Sequence, residues 1–236
     1  MMNTKNLNGG LNTPAIVISR KKYKLHSLFT FITPRLGLIR ASFSHKRLQT
    51  LRNSSYLRPF SAMYITVVPD GDYVKVSQID GSYVVESLDV NLENIAYAAV
   101  GSELIQELFA LYDVDRAVFD TVVHYSKQIR HRNVRLATII LGWQLLSLAG
   151  LVPKGALLQK ADESEAFWRE LSYIIEKQPS IAIRDILGQV ISYQWGEEEM
   201  LSFNGATWRD LERYLFQFAT KEIGKELQSV KFLLTL

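Results

Sequence analysis

Lysine and arginine side chains near the start of the chain are the residues whose spacing most clearly indicates a chemistry, the binding of phosphate groups. Arg20, Lys21, Lys22 and Lys24 lie within five positions. Closely spaced cations neutralise a nucleic-acid backbone and release its counterions without reading its sequence. The predicted nucleic-acid contacts are Arg20, Lys21, Lys22, Lys24, Arg35, Arg40, Lys46, Arg47, Arg52 and Arg58.

The charges of the chain are divided unevenly along its length. Residues 1–68 contain 11 basic residues and no acidic residue, and the first carboxylate is Asp70. The other 168 residues carry 16 basic and 24 acidic groups, which leaves the whole chain at +3. Solvated surfaces normally mix both signs. The asymmetry therefore predicts a polyanionic partner for the first region, either nucleic acid or, as the alternative, a membrane surface.

Aromatic residues lie among these cations. Tyr23 and Tyr56 fall in polar connections, where base stacking and ordinary loop packing are both open interpretations. Phe29, Phe31 and Phe43 alternate along predicted strands, which is typical of a hydrophobic core.

Motifs of enzymes are missing from the sequence. It contains no GxxxxGK[ST], GxGxxG, HExxH or GxSxG pattern. The chain has no cysteine, so thiol nucleophiles, disulfides and cysteine-ligated zinc are excluded. Because no carboxylate precedes Asp70, the basic region alone cannot supply paired acid–base catalysis or a two-metal centre. We expect a protein that is not an enzyme and has no cofactor or metal, with a hydrolase of unrecognised type as the alternative.

Two acidic clusters have compositions that suggest a cation site or a catalytic site. Asp70, Gly71 and Asp72 form a DGD sequence, which we interpret as the turn of a hairpin. Glu197, Glu198 and Glu199 are consecutive, and we interpret them as a solvated loop.

The first structured region has the alternation of short β-strands. The predicted strands cover residues 15–20, 28–33, 37–43, 60–68 and 73–79. Five strands and a long basic connection over residues 44–58 predict a small closed barrel of the OB-fold type, although five strands also suit an SH3-like barrel.

After about residue 88 the hydrophobic period becomes helical. The predicted helices lie within residues 92–109, 118–129, 136–149, 164–177, 181–194 and 207–223. The predicted fold is therefore α+β, with a flexible arm over residues 1–13, an OB-fold domain that binds nucleic acid over 14–82 and an all-α domain over 89–236.

The segment 136–153 carries no charge and reaches the lower length limit of a membrane span. Its polar residues Thr138, Gln144 and Ser147, and the stop signal of Gly150 and Pro153, favour a helix buried inside the helical domain. We expect a cytoplasmic protein with no membrane partner.

The helical half has one basic cluster at the start of this uncharged segment. Arg130, Arg132 and Arg135 beside apolar residues could hold an acidic or carboxylate-terminated partner peptide. A solvated loop between helices is the alternative interpretation.

The ordered features of the whole chain resemble the RecO family of DNA repair and recombination mediators. The segments that carry the resemblance are AIVISR (15–20), TFIT (30–33), GLIR (37–40), LAGLVP (148–153), LERY (211–214) and IGKELQSVKFL (223–233).

This resemblance implies an N-terminal OB-fold, a helical C-terminal domain and a bacterial, nucleoid-associated location. It also implies binding of ssDNA and dsDNA and annealing of complementary strands. The implied partners are RecR, the C-terminal tail of single-stranded DNA-binding protein and, indirectly, RecA. By correspondence, Arg40, Lys46 and Arg47 are DNA contacts, while Arg130, Arg132 and Arg135 are candidates for the tail.

The sequence departs from the family in two places. Many members carry four zinc-binding cysteines after the Gly-x-Pro segment, whereas residues 154–165 are short and free of cysteine. Residues 42–47 read SFSHKR, without the glycine that usually follows the third strand.

An RNA-binding or translation-associated OB-fold protein is the alternative function.

Overall fold

The computed structural model describes residues 10–51, 54–70, 73–89, 91–158, 160–196 and 201–236. It confirms the α+β class, because an antiparallel sheet of five strands is followed by helices. The strands are β1 (Leu11–Lys22), β2 (His26–Thr33), β3 (Gly37–Ser44), β4 (Ala62–Asp70) and β5 (Tyr73–Tyr83). The helices are α1 (His45–Thr50), α2 (Leu92–Leu108), α3 (Arg116–Gln128), α4 (Val134–Leu148), α5 (Gly155–Leu158), α6 (Ala161–Ile174), α7 (Ile181–Ser192), α8 (Gly205–Ile223) and α9 (Gln228–Leu233).

The strands are hydrogen-bonded in the order β3-β2-β1-β4-β5. β1 is central because its first half pairs with β4 and its second half with β2. Leu11, Asn12 and Thr13, which the prediction assigned to a flexible arm, are paired with β4. The register of β1 shifts between Val17 and Ser19, a bulge that bends a strand and increases its twist.

The sheet is open, so the predicted closed barrel is wrong. Along the described strands no ladder joins β3 to β5. Helix α1 follows β3 directly, and its Arg47 guanidinium donates to the carbonyls of Val76 (2.5 Å) and Ser77 (3.0 Å) in β5. At this part of β5, which pairs with β4, hydrogen bonds from a side chain stand where a closed barrel would have a pairing with β3.

The hydrophobic core of the sheet is formed by the alternate residues that the strand pattern assigned to it. Phe29, Phe31 and Phe43 are almost fully buried, which confirms the prediction that they are core residues. The Phe29 ring packs edge-on against Phe43 with the ring centroids 5.4 Å apart. Such aromatic pairs stabilise a core by about 1 kcal/mol beyond the burial of their surface.

The chain divides into two compact units. The sheet unit contains the described residues up to Ser87 together with Phe109–Arg130, and the helical unit contains Leu88–Leu108 and His131–Leu236. Helix α3 therefore belongs with the sheet, although the sequence pattern placed it inside one continuous helical domain.

Specific contacts hold the segment 109–130 in the sheet unit. The Tyr112 amide donates to the Leu38 carbonyl at 2.8 Å, and the Tyr83 and Ser126 hydroxyls are hydrogen-bonded at 2.5 Å. Gly37 has a positive φ of 62°, and a Cβ there would lie 1.9 Å from the Asp113 carbonyl oxygen. This close approach requires glycine.

The helical unit is built around α4, the uncharged segment of the sequence. The Trp143 indole is fully buried and donates to the Leu211 carbonyl of α8 at 3.1 Å. Gly142 lies so close to α8 that a Cβ would fall 2.6 Å from a Leu215 methyl group. α4 ends before Gly150, whose positive φ of 77° suits the predicted helix stop.

Within the described part of the chain, no helix combines the length and the apolar character that crossing a membrane requires.

Candidate nucleic-acid interface

The connection between β1 and β2 positions most of the predicted DNA contacts. We call residues 23–25 the hairpin tip. The Tyr23 amide donates to the His26 carbonyl at 2.8 Å, and the ladder below it pairs Lys22 with Ser27. Lys21, Lys22 and Lys24 are exposed around this tip, so their ammonium groups are accessible to an anion.

Helix α1 brings another lysine to the same place. Ser44 caps α1 by accepting a hydrogen bond from the Arg47 amide, and Ser44 is paired with His26 across β2 and β3. The His45 amide donates to the Leu25 carbonyl at 3.4 Å, which ties the start of α1 to the hairpin tip. Lys46, the next residue, is exposed. The structure therefore brings two separate basic sequence clusters together.

The adjacent residue Arg47 is engaged inside the sheet unit. It is half-buried, donates to two carbonyls of β5, and its guanidinium lies 5.1 Å from the centroid of the Phe43 ring. Lys46 and Arg47 are neighbours in the sequence, but only Lys46 is fully presented to solvent. Arg47 stabilises the position of α1 against β5.

The outer face of the sheet extends the basic surface. Lys21 and Arg40 share this face, because Lys21 is paired with Leu28 and Arg40 with Thr30, two residues farther along β2. Both are exposed. Arg20 and Lys22, which are paired with Phe29 and Ser27, alternate with Lys21 and lie on the other face of β1. We call the cations at and beside the hairpin tip, on both faces, the basic edge; its members are Arg20, Lys21, Lys22, Lys24, Arg40 and Lys46.

Arg20 is exposed but held in place. Its guanidinium donates to the Ser27 hydroxyl at 3.4 Å and lies 5.4 Å from the centroid of the Phe29 ring. These contacts fix the side chain without neutralising its charge. A positioned guanidinium suits a phosphate, which accepts two parallel hydrogen bonds.

Two other predicted contacts lie elsewhere. Arg35 is exposed in the turn between β2 and β3, at the end of these strands away from the hairpin tip. Eight-residue strands separate the two ends by roughly 25 Å. Arg58 is exposed near the middle of β1, since the neighbouring Phe60 amide donates to the Val17 carbonyl at 2.7 Å. Arg52 lies outside the described residues.

The aromatic residues proposed for base stacking differ in their environments. Tyr23 is 45% exposed at the hairpin tip, where its ring stacks on His26 with the centroids 4.9 Å apart. Tyr56 is half-buried against the core, and a Cβ on Gly81 would lie 2.3 Å from its ring. Tyr23 is thus the aromatic residue located on the basic edge.

Asp70 is the one member of the two acidic clusters that lies within the described residues. Asp70 is the exposed last residue of β4. Gly71, Asp72, Glu197, Glu198 and Glu199 lie outside the described residues.

The predicted peptide-binding arginines have separate partners. Arg130 belongs to the sheet unit, and its guanidinium lies 4.9 Å from the centroid of the Tyr83 ring. Arg132 belongs to the helical unit and donates to the Tyr193 hydroxyl at 2.7 Å. Arg135 forms a two-pronged ion pair with Glu212, at 3.1 and 2.5 Å.

The Arg135–Glu212 pair includes a third residue. The Tyr97 hydroxyl donates to Glu212 at 2.5 Å. Burial and the neighbouring Glu212 carboxylate raise the pKa of Tyr97 above its usual range. The phenol therefore stays protonated and donates to the carboxylate of Glu212, whose side chain is only 13% exposed.

A groove beside Arg135 was not predicted from the sequence. It has a volume of about 590 Å³ and combines the apolar residues Leu136, Phe203 and Trp208 with the guanidinium groups of Arg135 and Arg209. Arg209 is exposed and follows Trp208 at the start of α8. The signal in the sequence was the adjacent Trp-Arg pair, but only the fold places it next to Arg135.

Comparisons with known proteins add no family assignment. The sequence matches no protein-family model, and no curated protein matches it at a significant level.

Proposed function

We propose that this chain is a DNA-binding recombination mediator that binds ssDNA and dsDNA and anneals complementary strands without breaking covalent bonds. One observation carries the proposal: the fold gathers Lys21, Lys22, Lys24 and Lys46 at the end of the hairpin formed by β1 and β2, in a part of the sequence with no carboxylate before Asp70. A neutralising anion must therefore come largely from outside this region. A DNA backbone supplies such anions at regular spacing.

The finer architecture that we propose for the sheet unit is an OB-fold. The strand order β3-β2-β1-β4-β5, the helix between β3 and β4, and the approach of β3 to β5 support it. OB-folds bind oligonucleotides on the face of their second and third strands and on the loop between the first two. Arg40 and the hairpin tip occupy these positions.

The ordered resemblance to RecO supplies the biological setting of the proposal. In that setting the protein acts in the bacterial cytoplasm, with RecR, to load RecA at gaps coated by single-stranded DNA-binding protein. The groove at Arg135, Arg209 and Trp208 then offers apolar surface and positive charge to the acidic tail of the single-strand-binding partner.

An annealing assay tests the DNA-binding proposal. Two complementary labelled strands are mixed without nucleotide, with and without the protein, and duplex formation is followed by fluorescence. We expect faster annealing with the wild-type chain and with Lys154→Glu, an exposed lysine of the helical unit, but slower annealing with Lys46→Glu. No acceleration by the wild-type protein would contradict the proposal. Preference for structured RNA over ssDNA in a competition would favour the RNA-binding alternative.

A peptide titration tests the groove. We expect an acidic peptide with a free C-terminal carboxylate to bind, and Arg209→Ala to weaken its binding about tenfold, the size of a lost charge-assisted hydrogen bond. The matched control is Arg169→Ala, which removes an exposed guanidinium paired with Glu165 on α6. Equal affinities for the two variants would place the peptide elsewhere.

A further inference from the structure

The hairpin tip exposes large apolar side chains to solvent. Leu25 is 77% exposed and Tyr23 is 45% exposed, whereas the core strands on either side bury their large apolar residues. An exposed leucine by itself is common. What is unusual here is its position at the end of a hairpin, surrounded by lysines.

The tip is held in a defined position. The Tyr23 amide donates to His26, and the Leu25 carbonyl accepts from the His45 amide. The Tyr23 and His26 rings are stacked with an angle of 15° between their planes. Leu25 therefore projects from a backbone that is fixed on both sides, by the β-ladder and by the start of α1.

The charges around Leu25 indicate the kind of partner that this side chain contacts. Lys22, Lys24 and Lys46 are exposed around the tip, and residues 1–69 contain no carboxylate. Phosphates bound by these lysines would bring nucleotide bases against the apolar side chains. DNA-bending proteins insert leucine and similar residues between base steps in this way.

A lipid surface is a weaker match to the same charges. Interfacial binding to lipid uses the broad apolar face of an amphipathic helix. Helix α1, next to the tip, has only six residues and none of them is buried. Two apolar side chains on a narrow hairpin match a base step better than a bilayer.

We infer that the hairpin tip recognises the junction between single-stranded and double-stranded DNA, with Leu25 inserted between the last base pair and the first unpaired base, which unstacks the two, and with Tyr23 packed against the unpaired base. The lysines of the basic edge hold the phosphates on either side. This inference rests on the proposed DNA-binding function and adds a preferred structure of the substrate and a role for Leu25.

The test uses the full chain and a duplex with a single-stranded overhang. 2-Aminopurine, whose fluorescence rises when it is unstacked, is placed in the last base pair or, as a position control, in the duplex interior. We expect the wild-type protein to raise the fluorescence at the junction only. We also expect tighter binding to the junction than to ssDNA alone.

Leu25→Ala is the decisive variant. The variant lacks the leucine surface that the junction would bury on binding. It should therefore bind the junction about tenfold more weakly and show no fluorescence rise, while its affinity for ssDNA changes little. Ile181→Ala is the matched control, because Ile181 of the helical unit is 78% exposed and is not expected to matter. Circular dichroism of both variants checks that the fold is retained.

The outcomes separate this inference from the proposed function. Junction binding without a fluorescence rise, or an unchanged rise in Leu25→Ala, overturns the inference and leaves DNA binding intact. Absence of binding to every DNA overturns both. Leu25-dependent binding to vesicles of phosphatidylcholine and phosphatidylserine, without a response to the junction, overturns the inference in favour of a lipid surface.

Discussion

The sheet unit and the helical unit treat their basic side chains differently. In the helical unit arginines and lysines pair with carboxylates, as in Arg135–Glu212 and Lys225–Glu107. In the sheet, Arg20 bonds to a hydroxyl and Arg47 to carbonyl oxygens. These neutral acceptors position a guanidinium but leave its charge in place. The comparison teaches that the paired charges of the helical unit serve its stability, whereas the positive charge of the hairpin formed by β1 and β2 is available for an external anion.

The largest expected effect comes from reversing the charge of the hairpin. Lys21→Glu, Lys22→Glu and Lys24→Glu together should reduce ssDNA affinity at least about hundredfold, since several phosphate contacts become repulsive. The measurement is fluorescence anisotropy with a labelled oligonucleotide at fixed salt. The matched control reverses Lys154, Lys177 and Lys221, three exposed lysines of the helical unit. Similar losses in both triple variants would mean that net charge, and not the basic edge, controls binding.

A smaller effect is expected when the ion pair of the helical unit is broken. Glu212→Ala removes the partner of Arg135 and the acceptor of Tyr97, and should lower the free energy of unfolding by about 2 kcal/mol. Urea denaturation measures the change. Glu226→Ala is the control, because its pair with Lys231 is exposed and should contribute less than about 1 kcal/mol. The contrast between the units weakens if the two variants are equally stable.

Neighbouring residues of the sheet unit should separate stability from binding. Arg47→Met removes hydrogen bonds to the Val76 and Ser77 carbonyls and should cost about 1 kcal/mol in urea denaturation. Lys46→Met should leave stability unchanged but weaken ssDNA binding in the anisotropy assay. The reverse pattern, with a destabilising Lys46 variant and a neutral Arg47 variant, would contradict the roles assigned to them.

The smallest effect is a pH dependence of the helical unit. Because the pKa of Tyr97 is raised in the folded state, its contribution to stability is fully present below pH 10.0, the ordinary pKa of tyrosine. It is lost as the pH rises toward the folded-state value, since only the unfolded state ionises there. We expect Tyr97→Phe to show a shallower decline in unfolding free energy above pH 10.0 than the wild type. Parallel declines would show that Tyr97 does not stay protonated.

Local patterns were enough to predict most elements of the fold. The alternation of Phe29, Phe31 and Phe43 predicts a strand core, and the structure buries all three. The helical period predicted α7 and α8 to within a few residues. These features are predictable because each depends on neighbours in the sequence.

Features that depend on distant contacts were not predictable in the same way. Nothing near Tyr112 in the sequence shows that its amide bonds to Leu38, so the membership of α3 in the sheet unit was missed. The barrel was expected to close by pairing of β3 with β5. Instead, the Arg47 side chain donates hydrogen bonds to the β5 carbonyls. For the site, sequence composition identified the cations, whereas the His45–Leu25 hydrogen bond that joins two basic clusters appears only in the fold.

The salt dependence of ssDNA binding tests the central claim most directly. With the six cations of the basic edge on phosphates, a plot of log affinity against log salt concentration should have a slope of about −4. Reversal of Lys21, Lys22 and Lys24 should bring the slope about two units closer to zero. A wild-type slope near zero would contradict the assignment of the basic edge as a DNA-backbone surface.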